Sequence, residues 1–115
     1  MIRNISTEEL KGMMDSGQSF VLVNVLDGSS YEKEHICGSI NIPVQEIAIE
    51  GPGLLNRGET VILHCSGPGC TASLSAATKL EAIGYRDIRV FEGGIEEWKK
   101  AGYCLEGEAY KEAAA

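Results

Sequence analysis

Thr60-Val61-Ile62-Leu63-His64-Cys65-Ser66-Gly67-Pro68-Gly69-Cys70-Thr71 joins a strand to a helix through a short loop. The apolar run at its start is of the kind buried on both faces of a parallel sheet. Small residues and two glycines follow, and such a segment turns tightly enough for backbone amides to converge on one point. From Thr71 to Ile83 the spacing predicts a helix, with Leu74, Ala77, Leu80 and Ile83 as its apolar stripe and Gly84 as its stop. Strand, loop and helix in that order build an α/β layer fold. Ligands of open α/β sheets bind beyond the carboxyl ends of the strands, where this loop must lie.

The flanking sequence repeats the alternation. Phe20-Val21-Leu22-Val23-Asn24-Val25 and Ile88-Arg89-Val90-Phe91 read as further buried strands, and Ser39-Ile40-Asn41-Ile42-Pro43 as an extended piece ended by proline. Ser6-Thr7-Glu8-Glu9 is a capping box, Ile5 and Leu10 stand where a hydrophobic staple forms, and Leu10, Met13 and Met14 carry a helix that stops at Gly17. Short helices are expected over 29–34, 44–49 and 95–101. In the last of these Glu96 and Glu97 come early and Lys99 and Lys100 late, matching the macrodipole. Gly51-Pro52-Gly53 reads as a loop, and Trp98 as a core residue by its spacing with Ile95. The expectation is one α/β domain over residues 1–115, with a central, mainly parallel sheet flanked by helices on both faces.

Composition narrows the partners. The chain of 115 residues is 43% hydrophobic and 23% charged, enough to bury a core, and its formal net charge is −7. Nucleic acid and anionic membrane both require a basic face, so neither is expected as a partner. No apolar run approaches the roughly 20 residues that span a bilayer. Met1-Ile2-Arg3-Asn4 opens into the first helix signal without a secretory apolar segment, which points to a cytoplasmic protein. Ala113-Ala114-Ala115 reads as a frayed tail without a role.

Four cysteines, Cys37, Cys65, Cys70 and Cys104, lack the paired spacing of zinc sites, and neither histidine is placed to complete one. No metal or cofactor is expected. In a reducing cytosol a reactive or regulatory thiol is favoured over disulfides. Cys65 heads the loop, where the N-terminus of the following helix adds about half a positive charge and favours the thiolate. Ser66, Gly67, Pro68, Gly69, Cys70 and Thr71 would cradle an anionic substrate or a Cys65 persulfide. A buried structural thiol at a strand end is the plainer alternative.

These segments resemble the rhodanese-like domain family. Tyr31-Glu32-Lys33-Glu34-His35-Ile36-Cys37-Gly38-Ser39-Ile40-Asn41-Ile42-Pro43, after the strand 20–25, is similar to the family's amino-terminal signature, and Cys65 to Cys70 with its helix to its active-site loop. Gly84-Tyr85, the segment 90–95 and Trp98-Lys99-Lys100-Ala101-Gly102-Tyr103 resemble its carboxy-terminal pattern. The matches run in order over about residues 3–106. The resemblance implies a parallel five-stranded sheet and a cysteine, here Cys65, that takes sulfane sulfur from a donor as a persulfide and passes it to a thiol or other thiophilic acceptor. Donor and acceptor are small molecules or partner proteins.

The departures from the family pattern bear on activity. Typical single-domain members carry arginine where this chain has Cys70 and Leu26, and aspartate where it has Asn24. The resemblance makes the loop arginine an anchor for anionic donors; losing such a charge-assisted contact costs about 1.5–3 kcal/mol, so weak thiosulfate activity is expected. Asn24 and Leu26 together read as one exchanged ion pair. A subgroup with a C-x-x-x-x-C loop is indicated, in which Cys70 either fills the space of arginine or acts as a resolving thiol on Cys65. The related phosphatases need a longer loop ending in arginine; Thr71 stands at that place. His64, adjacent to Cys65 on a strand, is expected to point to the opposite face rather than act as its base. His35 is expected to hold a turn. Cys37 and Cys104 replace family prolines and are expected to be independent replacements rather than a bridge. Three readings remain: a sulfurtransferase or sulfane-sulfur carrier, a Cys65/Cys70 dithiol–disulfide oxidoreductase, and a catalytically silent binding or redox-sensing module.

Overall fold

In the computed structural model, which describes residues 2–111, the run Val61–His64 is the middle strand of a five-stranded sheet. Met1 and residues 112–115, Ala113-Ala114-Ala115 among them, lie outside the described residues. In chain order the elements are β1 (Ile2–Asn4), α1 (Thr7–Asp15), β2 (Val21–Asn24), α2 (Gly28–Lys33), β3 (His35–Ile36) and β4 (Ile40–Asn41). A 3₁₀ turn (Val44–Glu46) leads into α3 (Ile47–Leu54), followed by β5 (Val61–His64), α4 (Ala72–Ala82), β6 (Ile88–Phe91), α5 (Gly94–Lys100), β7 (Leu105–Glu106) and α6 (Glu108–Lys111). The sheet order is β1-β6-β5-β2-β4 with every pairing parallel. No helix of the described residues is long and apolar enough to cross a membrane.

The period of two along each strand sorts the core into two layers. Val23, Val61, Leu63, Ile88 and Val90 face α3 and α4, where Ile47, Ala76, Ala77 and Leu80 cover them. Leu22, Ile62 and Phe91 face Leu10 and Met13 of α1 and Ile95 and Trp98 of α5. The register sets Asn24, His64 and Phe91 side by side across β2, β5 and β6. With all five strands parallel, the loops after β2, β5 and β6 emerge at one end of the sheet. The capping box forms as its residues require: Ser6 Oγ accepts from the Glu9 amide at 3.1 Å and Glu9 Oε1 from the Ser6 amide at 3.0 Å. Ile5 and Leu10, the expected staple, are both buried.

Several expectations change. Residues 51–53 are not a loop but continue α3. Pro52 has no N–H to give the Ala48 carbonyl, but Ala48 is exposed, so solvent can take its place. A Cβ on Gly51 would lie 3.3 Å from Leu80 Cδ2, so this glycine lets α3 rest closely on α4. The buried face of α4 is Ser73, Ala76, Ala77 and Leu80, while Leu74 is 54% exposed. Small side chains at 73, 76 and 77 let the helix lie against the sheet, and a stripe chosen by residue size misses that rotation. The N-terminal residues form β1 on the sheet edge, paired in register with β6.

The cysteine expectation is also corrected. Cys37 and Cys104 form a disulfide, with Cα atoms 5.5 Å apart. β3 and β7 pair antiparallel and the Cys37 amide donates to the Cys104 carbonyl at 3.2 Å, so the ladder delivers both sulfurs to one place. Trp98, core as expected, donates its indole N–H to the Cys104 carbonyl at 2.9 Å. The bridge spans 67 residues of sequence, for which chain entropy alone gives about 4 kcal/mol. Replacing both Cys37 and Cys104 by serine is therefore expected to lower unfolding free energy by about that amount, measured by urea titration, with reductant lowering the wild type but not the double variant.

Candidate functional site

The loop after β5 is held from two sides. At its start, the Ile95 amide donates to the Cys65 carbonyl at 3.2 Å and the Glu96 amide to the Ser66 carbonyl at 2.9 Å. These are first-turn donors of α5, whose N-cap Gly93 provides no side-chain cap, so the loop carbonyls satisfy them. Such an approach needs glycine at 94. Its φ is +59°, and a Cβ there would lie 2.6 Å from the Cys65 carbonyl oxygen and 2.7 Å from the Gly67 nitrogen. Further along, the Cys70 amide closes a turn onto the Gly67 carbonyl at 3.1 Å, and Gly69 takes φ +90°.

At its end the loop feeds α4, whose N-cap Thr71 also makes no side-chain cap. The sulfur atoms occupy that place. Cys65 Sγ stands 3.6 Å from both Ser73 Oγ and the Cys70 carbonyl oxygen, and the Ser73 amide is directed at it. The amides of Ala72 and Ser66 and the Ser66 hydroxyl draw the Cys70 thiol's pKa down, and the two thiols influence each other's titration. Ser66, Gly67 and Cys70 thus join Cys65 in one cluster, whereas Pro68 and Thr71 contribute to its rim. Ser73 was not among the expected site residues; it stands two residues after Thr71, the N-cap of α4, in the helix's first turn beside the loop.

Electrostatics divides the pair. Cys65 is 2% exposed. Burial pushes its thiol above the ordinary value and the hydrogen bond to Cys70 adds to the rise, while Ser73 pulls the other way without offsetting them. At Cys70 burial also raises, but the hydrogen bonds from Cys65, from the Ala72 and Ser66 amides and from the Ser66 hydroxyl outweigh it, so the net shift is downward. The thiolate expected on Cys65 is instead favoured on Cys70, because Cys65 is the more deeply buried of the two.

The histidines stand as strand geometry predicts. His64 is fully buried on the opposite face of β5, edge-on to Phe91 at 6.5 Å, with Nδ1 3.2 Å from the Cys65 carbonyl oxygen. Burial draws its pKa down to about 4, so it is neutral at pH 7. Its Nε2 and the Asn24 Nδ2 are buried without a hydrogen-bond partner among the described residues. His35 stacks on Tyr31 at 3.9 Å and bonds the Tyr31 carbonyl and Glu106, which holds the turn into β3. Asn24 Oδ1 accepts from the Leu26 amide at 2.9 Å and so shapes the strand end that an ion pair was expected to have vacated.

Comparison with known proteins adds four findings. The family model described as "Rhodanese-like domain" matches residues 6–101. An uncharacterized 16.5 kDa protein of Synechococcus elongatus is 36% identical over 88 residues, covering 71% of this chain and 58% of that protein. A probable adenylyltransferase/sulfurtransferase, MoeZ, of Mycobacterium tuberculosis is 33% identical over 97 residues, covering 84% of this chain and 24% of that protein. The chain therefore spans only part of the length of these curated relatives. Among solved structures, the BH2092 protein of Bacillus halodurans superposes with a TM-score of 0.87 at 29% identity, over 93% of this chain and 78% of that one.

Two measurements check this geometry. Gly94→Ala is expected to cost about 1–3 kcal/mol and displace the loop, seen as lowered unfolding free energy and altered Cys65 alkylation; Gly12→Ala, inside α1 with open space around it, is the contrasting control and is expected to stabilise by about 0.5–1 kcal/mol. For His64, the unfolded chain takes up a proton as pH falls through 6.5, but the folded chain only near about 4. The unfolded state therefore binds more protons across that window, and stability falls with falling pH by on the order of 3 kcal/mol over its full width. His64→Leu is expected to flatten that slope in urea titrations between pH 7 and 4.5.

Proposed function

The chain belongs to the rhodanese-like domain family, and on that premise we propose that it is a sulfurtransferase or sulfane-sulfur carrier that holds sulfur as a persulfide on Cys65. The observation that carries this reading is the placement of the Cys65 sulfur at the uncapped N-terminus of α4, with the Ser73 amide and hydroxyl directed at it. A persulfide is more acidic than a thiol and bears its negative charge on the outer sulfur, and helix-terminal amides stabilise such an anion. Transfer then requires a donor with sulfane sulfur and a thiol acceptor, each a small molecule or a partner protein.

Thiosulfate fits poorly as the donor. The pocket beside the loop, about 230 Å³, is lined by Pro68, Cys70, Ser73, Leu74 and Glu92 among others, none of them cationic. A dianion entering it meets the Glu92 carboxylate and no countercharge, so a persulfide, with at most one charge on its reacting end, is the better substrate.

A second reading, a Cys65/Cys70 dithiol–disulfide couple, is favoured by the closeness of the two residues, the Cys65 sulfur standing 3.6 Å from the Cys70 carbonyl oxygen. One experiment separates them. After incubation with glutathione persulfide, intact mass and fragmentation are expected to show a gain of about 32 Da, one sulfur atom, on Cys65. Thiosulfate at equal concentration is expected to load it much more slowly. A loss of about 2 Da with Cys65 joined to Cys70 supports the couple instead, and a protein that never carries sulfur on Cys65 overturns the persulfide reading.

A further inference from the structure

Cys65 and Cys70 differ in what a donor can reach. Cys65 is 2% exposed and lines none of the surface pockets beside the loop. Cys70 is partly exposed and lines the 230 Å³ pocket whose mouth is formed by Pro68 and the exposed Leu74. The Cys65 sulfur lies 3.6 Å from the Cys70 carbonyl oxygen, so the two thiols adjoin in one turn, and each shifts the other's titration. A donor approaching from solvent meets Cys70 first, and Cys65 sits behind it against the core residues of β5 and α4.

We propose that Cys70 is the thiol that takes sulfur from the donor, and that it passes this sulfur inward to Cys65. The proposal rests on the reading of Cys65 as the persulfide-bearing residue and adds an obligatory first station. In the first step the Cys70 thiolate attacks the outer sulfur of a persulfide R–S–SH. A Cys70 S–S bond forms, the donor S–S bond breaks, and R–S⁻ leaves and takes the proton, which leaves Cys70–S–S⁻ and R–SH. In the second step the Cys65 sulfur attacks the outer sulfur of Cys70–S–S⁻. The new bond is Cys65 S–S, the Cys70 S–S bond breaks, and the Cys65 proton passes to the departing Cys70 sulfur. Each step exchanges one S–S bond for another, so no outside oxidant or reductant is needed.

The local environment suits these separate tasks. The amides of Ala72 and Ser66 and the Ser66 hydroxyl stabilise Cys70 as a thiolate, the form that attacks. The raised thiol of Cys65 disfavours direct attack on a donor in solvent. It does not impede an exchange with a persulfide already in contact, where the proton has a destination. Burial then shields the product from stray thiols, while the Ser73 amide and hydroxyl hold it. The apolar Pro68 and Leu74 and the acidic Glu92 admit the slim S–SH end of a protonated persulfide, the form that is attacked, more readily than an oxyanion.

The test follows sulfur with time. Wild type, Cys70→Ser, Cys70→Ala and Cys65→Ser are mixed with glutathione persulfide near neutral pH, quenched by alkylation and fragmented between the two cysteines. Both Cys70 variants are expected to load Cys65 roughly tenfold more slowly than wild type, and Cys65→Ser to trap one sulfur on Cys70 at the wild-type initial rate. Substoichiometric iodoacetamide on the wild type, which involves no variant that must fold, is expected to label Cys70 before Cys65. Wild-type loading rates in both Cys70 variants, no sulfur on Cys70 in Cys65→Ser, or labelling of Cys65 first each overturn the entry role while the persulfide reading stands. A wild type that ends with no sulfur on Cys65 overturns both.

Discussion

Two amides of the first turn of α5 reach across Gly94 to the carbonyls of Cys65 and Ser66. Everything the loop presents depends on this contact. It fixes the peptide that follows β5, and therefore the direction in which the Cys65 side chain leaves the sheet. It also satisfies helix donors that no side chain caps. A Cβ at 94 would occupy the space of the loop backbone itself, which cannot withdraw as a flexible side chain can.

A second helix terminus completes the site from the other side. α4 begins without a side-chain cap at Thr71, and its amides turn to sulfur instead. Here the cost of unsatisfied helix donors and the need to stabilise an anion are met by one arrangement. The two cysteines divide that environment unequally. Depth and donors separate them: burial raises the inner thiol's pKa, while the amides and hydroxyl around the outer one outweigh its burial and lower it.

The disulfide and the small β3–β7 ladder form a separate brace. They tie the segment after α2 to the segment after α5, and the indole of Trp98 bonds the carbonyl of one bridged residue. Trp98 also packs edge-on against Phe91, which lies beside His64 in the sheet. The brace thus backs the face of the sheet opposite the cysteine pair.

The parallel strands β2, β5 and β6, the helices α1, α4 and α5, the capping box at Ser6 and the loop from Cys65 to Cys70 were all legible in the sequence. Each is written in local periodicity or in residues whose backbone preferences act over a few positions. The separation of His64 from Cys65 was legible for the same reason, since a strand alternates its faces. What the sequence could not display were pairings between distant segments: β1 on β6, β3 on β7, and the Cys37–Cys104 bridge that the second ladder makes possible. Nor could it show that α4 would turn Ser73, Ala76 and Ala77 inward and leave Leu74 outside, because close packing on a sheet selects for small volume rather than hydrophobicity. The chemistry of the pair divides in the same way. Sequence determined that two thiols share one loop at a helix N-terminus; only tertiary structure decided which is buried, and burial sets which of them keeps its proton.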